Sequence, residues 1–171
     1  IIASYGTMTG RKHLVLVGGG NSTPILAVLA KRANYRVSIL TRSPEKWSGD
    51  VVFTNQDLKW LPDDQYRETV DEVTADHSVV SDADIIFIAG APIHCNEEIL
   101  RRIKQHISPS KQTHVGTICA YGGFNWLVDD VFEGYDVVPF GTQLIPWCCG
   151  TIEYGSHGVV YGAKDLIRIV T

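Results

Sequence analysis

The chain has 171 residues, of which 44% are hydrophobic and 20% are charged, and its formal net charge is −4 at pH 7. This composition excludes general disorder, and the length predicts one globular domain. No apolar run approaches the length of a membrane span, and the Lys and Arg residues are scattered. We therefore expect no membrane insertion and no nucleic-acid binding.

The cysteines indicate the cellular compartment. There are four, with no C-x-x-C pair and with no His or Cys at ligand spacing around the adjacent Cys148 and Cys149. This usage predicts a reduced, cytoplasmic protein without a metal site. Met8 is the only methionine, so residues 1–7 are interpreted as a remnant that precedes a natural start, and residues 8–171 as the domain.

A glycine turn between a strand and a helix is the most informative segment. The apolar run from His13 to Val17 predicts a central parallel strand buried on both faces. Glycines follow, and a capping pair with Pro24 then opens an apolar pattern that predicts a helix over 22–33. Such a turn lets backbone approach a pyrophosphate at a helix N-terminus. The predicted dinucleotide-binding residues here are Gly18, Gly19, Gly20, Asn21, Ser22 and Thr23.

The match to the G-x-G-x-x-G fingerprint is incomplete. Thr23 stands where a third glycine or an alanine usually permits close packing of the helix on the strand. A glycine turn without a ligand is the alternative interpretation. The next predicted strand, 36–41, favours the dinucleotide site because it closes a βαβ unit at the spacing of a mononucleotide-binding half.

The end of that second strand indicates which cofactor is bound. In NAD-dependent proteins an acidic residue about twenty residues beyond the glycines binds the ribose 2′-hydroxyl. Here the residues are Thr41, Arg42 and Ser43. No carboxylate would repel a 2′-phosphate, and a guanidinium with two hydroxyls could bind it. The sequence favours NADP(H), with NAD(H) as the alternative, and Arg42 could instead be a solvated residue at a strand end.

Later segments complete an α/β pattern. Strands are predicted at 84–89, 113–120, 137–140 and 159–161, helices at 96–107 and 124–132, an edge strand within 66–74, and a further strand at 51–54 in a region of uncertain order. The fold class is a Rossmann-type, doubly wound, mostly parallel sheet with helices on both faces.

Two loops at predicted strand ends are further cofactor candidates. Ligands of open α/β sheets lie at the carboxyl ends of the strands. The residues that follow such ends are Gly90, Ala91 and Pro92, and Tyr121 with Gly122. His94 is interpreted as a capping or packing residue, so no catalytic residue is assigned.

Several motifs, in order along the chain, resemble those of the opine dehydrogenases. The likeness spans most of residues 12–164. The motifs are Val17-Gly-Gly-Gly-Asn21, Asp82-Ala-Asp-Ile-Ile86, Ala91-Pro-Ile-His94, Gly122-Gly-Phe-Asn-Trp126, Leu144-Ile-Pro-Trp-Cys148, Glu153-Tyr-Gly155 and Tyr161-Gly-Ala-Lys164.

The resemblance implies an enzyme that condenses an amino acid with a 2-keto acid and reduces the imine with a nicotinamide cofactor. It also implies a second, mostly helical domain that binds the amino acid and holds a histidine with an acidic partner. No segment here matches that pair, so we expect a cofactor domain whose chemistry needs the second domain. Both a piece of a longer enzyme and a natural truncation stay open.

One alternative function is a non-catalytic NADP(H)-binding module that senses redox state or binds another protein. A different member of the wider dehydrogenase superfamily with the same first domain is the other, since the fold does not fix the substrate. The cofactor domain and the non-catalytic module both predict an exposed apolar patch, which we expect at segment 142–149 with Trp147. Trp126 and Trp147 are each assigned either to the core or to such a face.

Overall fold

The computed structural model describes residues 10–171, so the predicted start at Met8 and the assignment of residues 1–7 lie outside the described residues. In chain order the strands are His13–Gly18 (β1), Arg36–Leu40 (β2), Asp50–Asn55 (β3), Gln65–Thr69 (β4), Glu72–Thr74 (β5), Ile85–Gly90 (β6), Thr113–Thr117 (β7), Val137–Thr142 (β8), Trp147–Glu153 (β9), His157–Ala163 (β10) and Ile169–Val170 (β11). The α-helices are Ser22–Arg32 (α1), Asn96–Lys104 (α2) and Phe124–Val131 (α3).

The larger sheet has the strand order β11-β8-β7-β6-β1-β2-β5. Every neighbouring pair in it is parallel except β11 with β8. This is a doubly wound, mostly parallel α/β sheet, so the predicted fold class is confirmed. No helix within residues 10–171 is long and apolar enough to cross a membrane.

Strand β1 shows why both faces of the sheet are covered. Leu14 and Leu16 belong to an apolar core that includes α1. Val15 and Val17, on the opposite face, belong to a second core with α2 and α3. Successive side chains of a strand point to opposite faces, so a continuous apolar run requires a layer on each side.

A second sheet covers the other side of α1. Its strand order is β4-β3-β10-β9, with β3 parallel to β10 and the remaining pairs antiparallel. Helix α1 is therefore enclosed between two sheets, which accounts for burial of seven of its 11 residues. The sequence pattern predicts a single sheet, and the strand predicted at 51–54 proves to be β3 of the second sheet.

Segment 66–74 was predicted as one edge strand, which is wrong. It contains β4, in the small sheet, and β5, at the edge of the large sheet. Asp71 lies between them and accepts hydrogen bonds from the Val37 N–H at 2.7 Å and from Lys31 Nζ at 2.8 Å. These two hydrogen bonds fix the chain at the point where it passes from the small sheet to the large sheet.

The predicted exposed patch at 142–149 is corrected in part. Trp147 is only 6% exposed and packs in the core beneath the small sheet, whereas Leu144 and Ile145 are exposed. Trp126, on α3, is 75% exposed and so does not belong to the core. Strand β9, which contains Trp147, was not predicted because an isolated segment of mixed polarity gives no clear period.

Candidate cofactor site

The site begins where the backbones of two parallel strands meet. Gly18 ends β1 with φ at 98°, and Gly90 is its partner at the end of β6. A Cβ on Gly18 would lie 2.5 Å from the Gly90 carbonyl carbon, and one on Gly20 would lie 2.8 Å from the Gly90 Cα. Only glycine allows this approach, which is why the turn requires both residues.

Thr23 fits the turn despite its departure from the fingerprint. Its side chain is fully buried at 0% exposure, and its Oγ1 donates to the Gly18 carbonyl at 2.9 Å. Its backbone N–H donates to the Gly20 carbonyl at 3.0 Å. Thr23 therefore stabilises the turn through hydrogen bonds to the carbonyls of Gly18 and Gly20, and its hydroxyl is taken up by the first of these bonds.

The predicted side-chain cap of α1 is wrong. Asn21 occupies the N-cap position without a capping hydrogen bond, and its Oδ1 accepts from Thr151 Oγ1 at 2.7 Å. The Ser22 Oγ accepts from Trp147 Nε1 at 3.3 Å. Both side chains attach the small sheet to the start of α1, so a ligand would meet chiefly the backbone of the glycine turn.

A cleft of about 590 Å³ extends from the glycine turn along the carboxyl ends of β1, β2 and β6. Ligands of doubly wound sheets bind at such strand ends. The cleft brings together nine of the predicted residues, namely Gly18, Gly19, Gly20, Thr41, Arg42, Ser43, Gly90, Ala91 and Pro92.

Just beyond the end of β2, Arg42, with its guanidinium side chain, lines this cleft. Arg42 is exposed, and it makes no ion pair within residues 10–171. Thr41 is buried, and its N–H donates to the Thr74 carbonyl at 2.9 Å, which ties the end of β2 to β5. Glu98 of α2 also lines the cleft, but it is paired with Arg102 at 2.5 Å.

Tyr121 and Gly122 do not line this cleft, so their place as cofactor neighbours stays a prediction. Tyr121 lines a separate hollow of about 530 Å³, and Gly122 leads with a φ of 69° toward α3. The reason is topological. They follow β7, and β6 lies between β7 and β1, so the end of β7 is one strand further from the glycine turn.

Sequence reasoning missed several residues of the cleft. Leu40, Ala75 and Ile99 give it an apolar part, and His77 and Arg102 add polar groups. Tyr154, from the turn between β9 and β10, also reaches it. These residues come from four different segments, so only the fold brings them together.

A buried histidine lies at the other end of the strands. His13 begins β1, its Nδ1 is 2.8 Å from Asp82 Oδ1, and its Nε2 is 2.9 Å from Ser38 Oγ. Burial, followed by the charge of nearby Arg36, lowers the pKa of His13. His94 is exposed in a short 3-10 helix before α2. Within residues 10–171 no group of three or more His, Cys, Asp or Glu residues could hold a metal.

No protein-family model matches the chain. It is 29% identical over 160 residues to the uncharacterized protein y4xO of Sinorhizobium fredii (strain NBRC 101917 / NGR234), covering 88% of this chain and 41% of that protein. The chain thus spans about two fifths of the length of that relative.

Solved structures share the fold. Octopine dehydrogenase, solved with NADH and L-arginine, matches with a TM-score of 0.83 at 19% identity, covering 93% of this chain and 41% of that one. Yersinopine dehydrogenase with NADP+ bound matches with a TM-score of 0.74 at 13% identity, covering 95% and 41%. Synechocystis arogenate dehydrogenase matches with a TM-score of 0.58 at 20% identity, covering 84% and 45%. The structural resemblance to opine dehydrogenases is confirmed at the level of the fold.

Proposed function

We propose that this chain is the cofactor domain of an opine-dehydrogenase-like oxidoreductase and that it binds NADP(H) in preference to NAD(H). One observation carries the proposal: Gly18 and Gly20 pack backbone to backbone against Gly90, in a cleft that is also lined by Arg42, which makes no ion pair within residues 10–171. A ligand with a pyrophosphate at one point and a 2′-phosphate at another matches that distribution of groups.

The glycine turn fits a dinucleotide for a steric reason. Gly18, Gly20 and Gly90 pack backbone against backbone, and a Cβ at any of these positions would overlap a neighbouring main chain. The N-terminus of α1 begins directly beyond the turn and adds a partial positive charge. Bare backbone at a helix N-terminus is the usual environment of a bound phosphate.

The remainder of the cleft fits the adenosine end. Leu40, Ala75 and Ile99 offer an apolar surface to a purine. Arg42 and Ser43, beyond them, carry groups that bind a phosphate, and no residue from 41 to 43 is acidic. This arrangement supports NADP(H), because a 2′-hydroxyl would leave the guanidinium without an anionic partner.

The chemistry of the whole enzyme is part of the proposal. When bound, the nicotinamide supplies or accepts a hydride, and we propose an imine formed from an amino acid and a 2-keto acid as its partner. Octopine dehydrogenase structures with NADH and L-arginine, and with NADH and pyruvate, support those substrate classes. His13 and Asp82 cannot carry the proton, because they lie at the amino end of β1, opposite the cleft. We propose that this group comes from the family's second domain.

Titration of the chain with NADPH and with NADH, followed by tryptophan quenching, tests the cofactor assignment. We expect tighter NADPH binding, and we expect Arg42→Ala to weaken it by about tenfold or more, the usual effect of losing a hydrogen bond between charged groups. NADH affinity should change little. Arg67→Ala, an exposed arginine on β4, is the matched control. Binding of neither dinucleotide would overturn the proposal, and an unchanged NADPH affinity in Arg42→Ala would overturn the NADP(H) preference.

A further inference from the structure

We propose that Trp47 and Tyr154 form a pair of hydrogen-bond donors for the pyrophosphate, facing the glycine turn from the side of the small sheet. This inference rests on the proposed function, since it assigns the partners of the same dinucleotide. Neither residue belongs to the strands or the helix that make the glycine turn. The pair would add side-chain donors to a site otherwise made of backbone.

Both side chains converge on Gly19. A Cβ on Gly19 would lie 2.5 Å from Tyr154 Oη and 3.3 Å from Trp47 Cζ2. In an indole, Cζ2 and Nε1 are both bonded to Cε2, so the edge near Gly19 is the edge that carries the N–H. The Trp47 and Tyr154 rings pack edge to face, with centroids 5.9 Å apart and an angle of 71°.

The indole of Trp47 has an unused donor. Trp47 is 9% exposed, and its Nε1 has no hydrogen-bond partner within residues 10–171. An indole N–H can only donate, and a buried donor without an acceptor is costly. Pyrophosphate oxygens can only accept, so they complement this group. Tyr154 is 48% exposed and lines the cleft, which leaves its hydroxyl within reach of a ligand.

The turn that carries Tyr154 is held in place by the backbone. The Ser48 N–H donates to the Gly155 carbonyl at 3.1 Å, and the Val52 N–H donates to the Ser156 carbonyl at 2.8 Å. Gly155 has a φ of 78°, and a Cβ there would overlap the Lys46 carbonyl. The turn and the segment before β3 are thus joined beside the glycine turn, so the backbone that carries the two rings is fixed before a ligand arrives.

The experiment compares two ligands on conservative variants. Tyr154→Phe and Trp47→Phe remove one donor each and keep an aromatic ring. NADPH contains the pyrophosphate, whereas adenosine 2′-monophosphate has the same adenosine end without it. We expect each variant to raise the Kd for NADPH about tenfold, the usual effect of losing a hydrogen bond to a charged group. The Kd for adenosine 2′-monophosphate should stay within twofold. Tyr161→Phe on β10 and the exposed Trp126→Phe are the controls.

Phosphorus NMR of bound NADPH separates contact from indirect effects. In Tyr154→Phe we expect the pyrophosphate resonances to move and the 2′-phosphate resonance to stay. Equal NADPH affinity and unchanged pyrophosphate resonances in both variants would overturn the inference while leaving the proposed function intact. Failure of the unmodified chain to bind NADPH would overturn both. An equal loss of both ligands in Tyr154→Phe would also overturn the inference, because it would show a general disturbance of the cleft.

Discussion

Gly90 lies so close to Gly20 that a Cβ on Gly90 would overlap the Gly20 backbone nitrogen, and it would also lie 2.7 Å from Thr23 Oγ1. The end of β6 and the turn after β1 are therefore one packed unit. Backbone cannot move aside as the end of a flexible side chain can, so this contact tolerates no substituent.

Gly90→Ala is expected to destabilise the protein by about 1–3 kcal/mol, the range for overpacking a tight site. The free energy of unfolding from urea denaturation measures the effect. Gly49→Ala is the control, because nothing lies within 4 Å of a Cβ at Gly49. If both variants were equally stable, the close packing of β6 on the glycine turn would be refuted.

Thr23→Val tests whether the threonine supports the turn by its hydroxyl. Valine keeps the shape but cannot donate to the Gly18 carbonyl, now bonded at 2.9 Å. We expect a loss of about 1 kcal/mol in the free energy of unfolding, the usual net value of one hydrogen bond. Thr23→Ser, which keeps the hydroxyl, should retain the turn geometry and thus dinucleotide affinity. Weaker dinucleotide binding by Thr23→Ser than by Thr23→Val would contradict this role.

Asn55 holds the loop between β3 and β4. Its side chain is 2% exposed, and its Nδ2 lies 2.9 Å from the Leu61 carbonyl and 3.0 Å from the Asp63 carbonyl. Asn55→Ala would leave these carbonyls without that donor, so we expect a loss of about 1–3 kcal/mol and faster proteolysis of residues 56–64. Asn125→Ala, at an exposed position of α3, should change neither measurement.

The lowered pKa of His13 predicts that the stability of the fold depends on pH. Burial is the larger cause of its lowered pKa and the charge of Arg36 is the next, so the folded protein holds a neutral imidazole. Its Nδ1 lies within hydrogen-bond distance of both the Asp82 carboxylate and the Arg36 guanidinium, and its Nε2 lies beside the Ser38 hydroxyl. The unfolded chain binds a proton first as the pH falls. Stability from this group is therefore complete above pH 6.5 and is lost as the pH falls through the lower folded value.

Urea denaturation between pH 7.5 and pH 5 measures this dependence. His13→Gln should be less stable by about 1–3 kcal/mol at pH 7.5, because it disrupts a buried hydrogen bond to Ser38 and a partly buried one to Asp82. The difference from the unmodified protein should shrink as the pH falls. His94→Gln, at an exposed position, is the control and should keep the full dependence. A difference that stayed constant across this range would show that His13 does not titrate differently in the two states.

What the sequence determined by itself is the unit β1-α1-β2 and the turn within it. His13 to Val17 is an uninterrupted apolar run, and the glycines and Pro24 mark the break between strand and helix. These signals are local, because strand and helix periods and the steric needs of glycine depend on neighbouring residues only. Arg42 at the end of β2 could be located by the same local spacing.

Only the tertiary structure decided the small sheet and what it contributes to the cleft. Val52 of β3 pairs with His157 of β10, far apart along the chain, and no local pattern encodes that partner. The same pairing brings Tyr154 to Gly19 and buries Trp147 over α1. Tyr121 shows the converse, since it follows the end of β7 as Ala91 follows the end of β6, yet strand order keeps it out of the cleft. Strand order is a property of packing between distant segments, which is why sequence periodicity could not supply it.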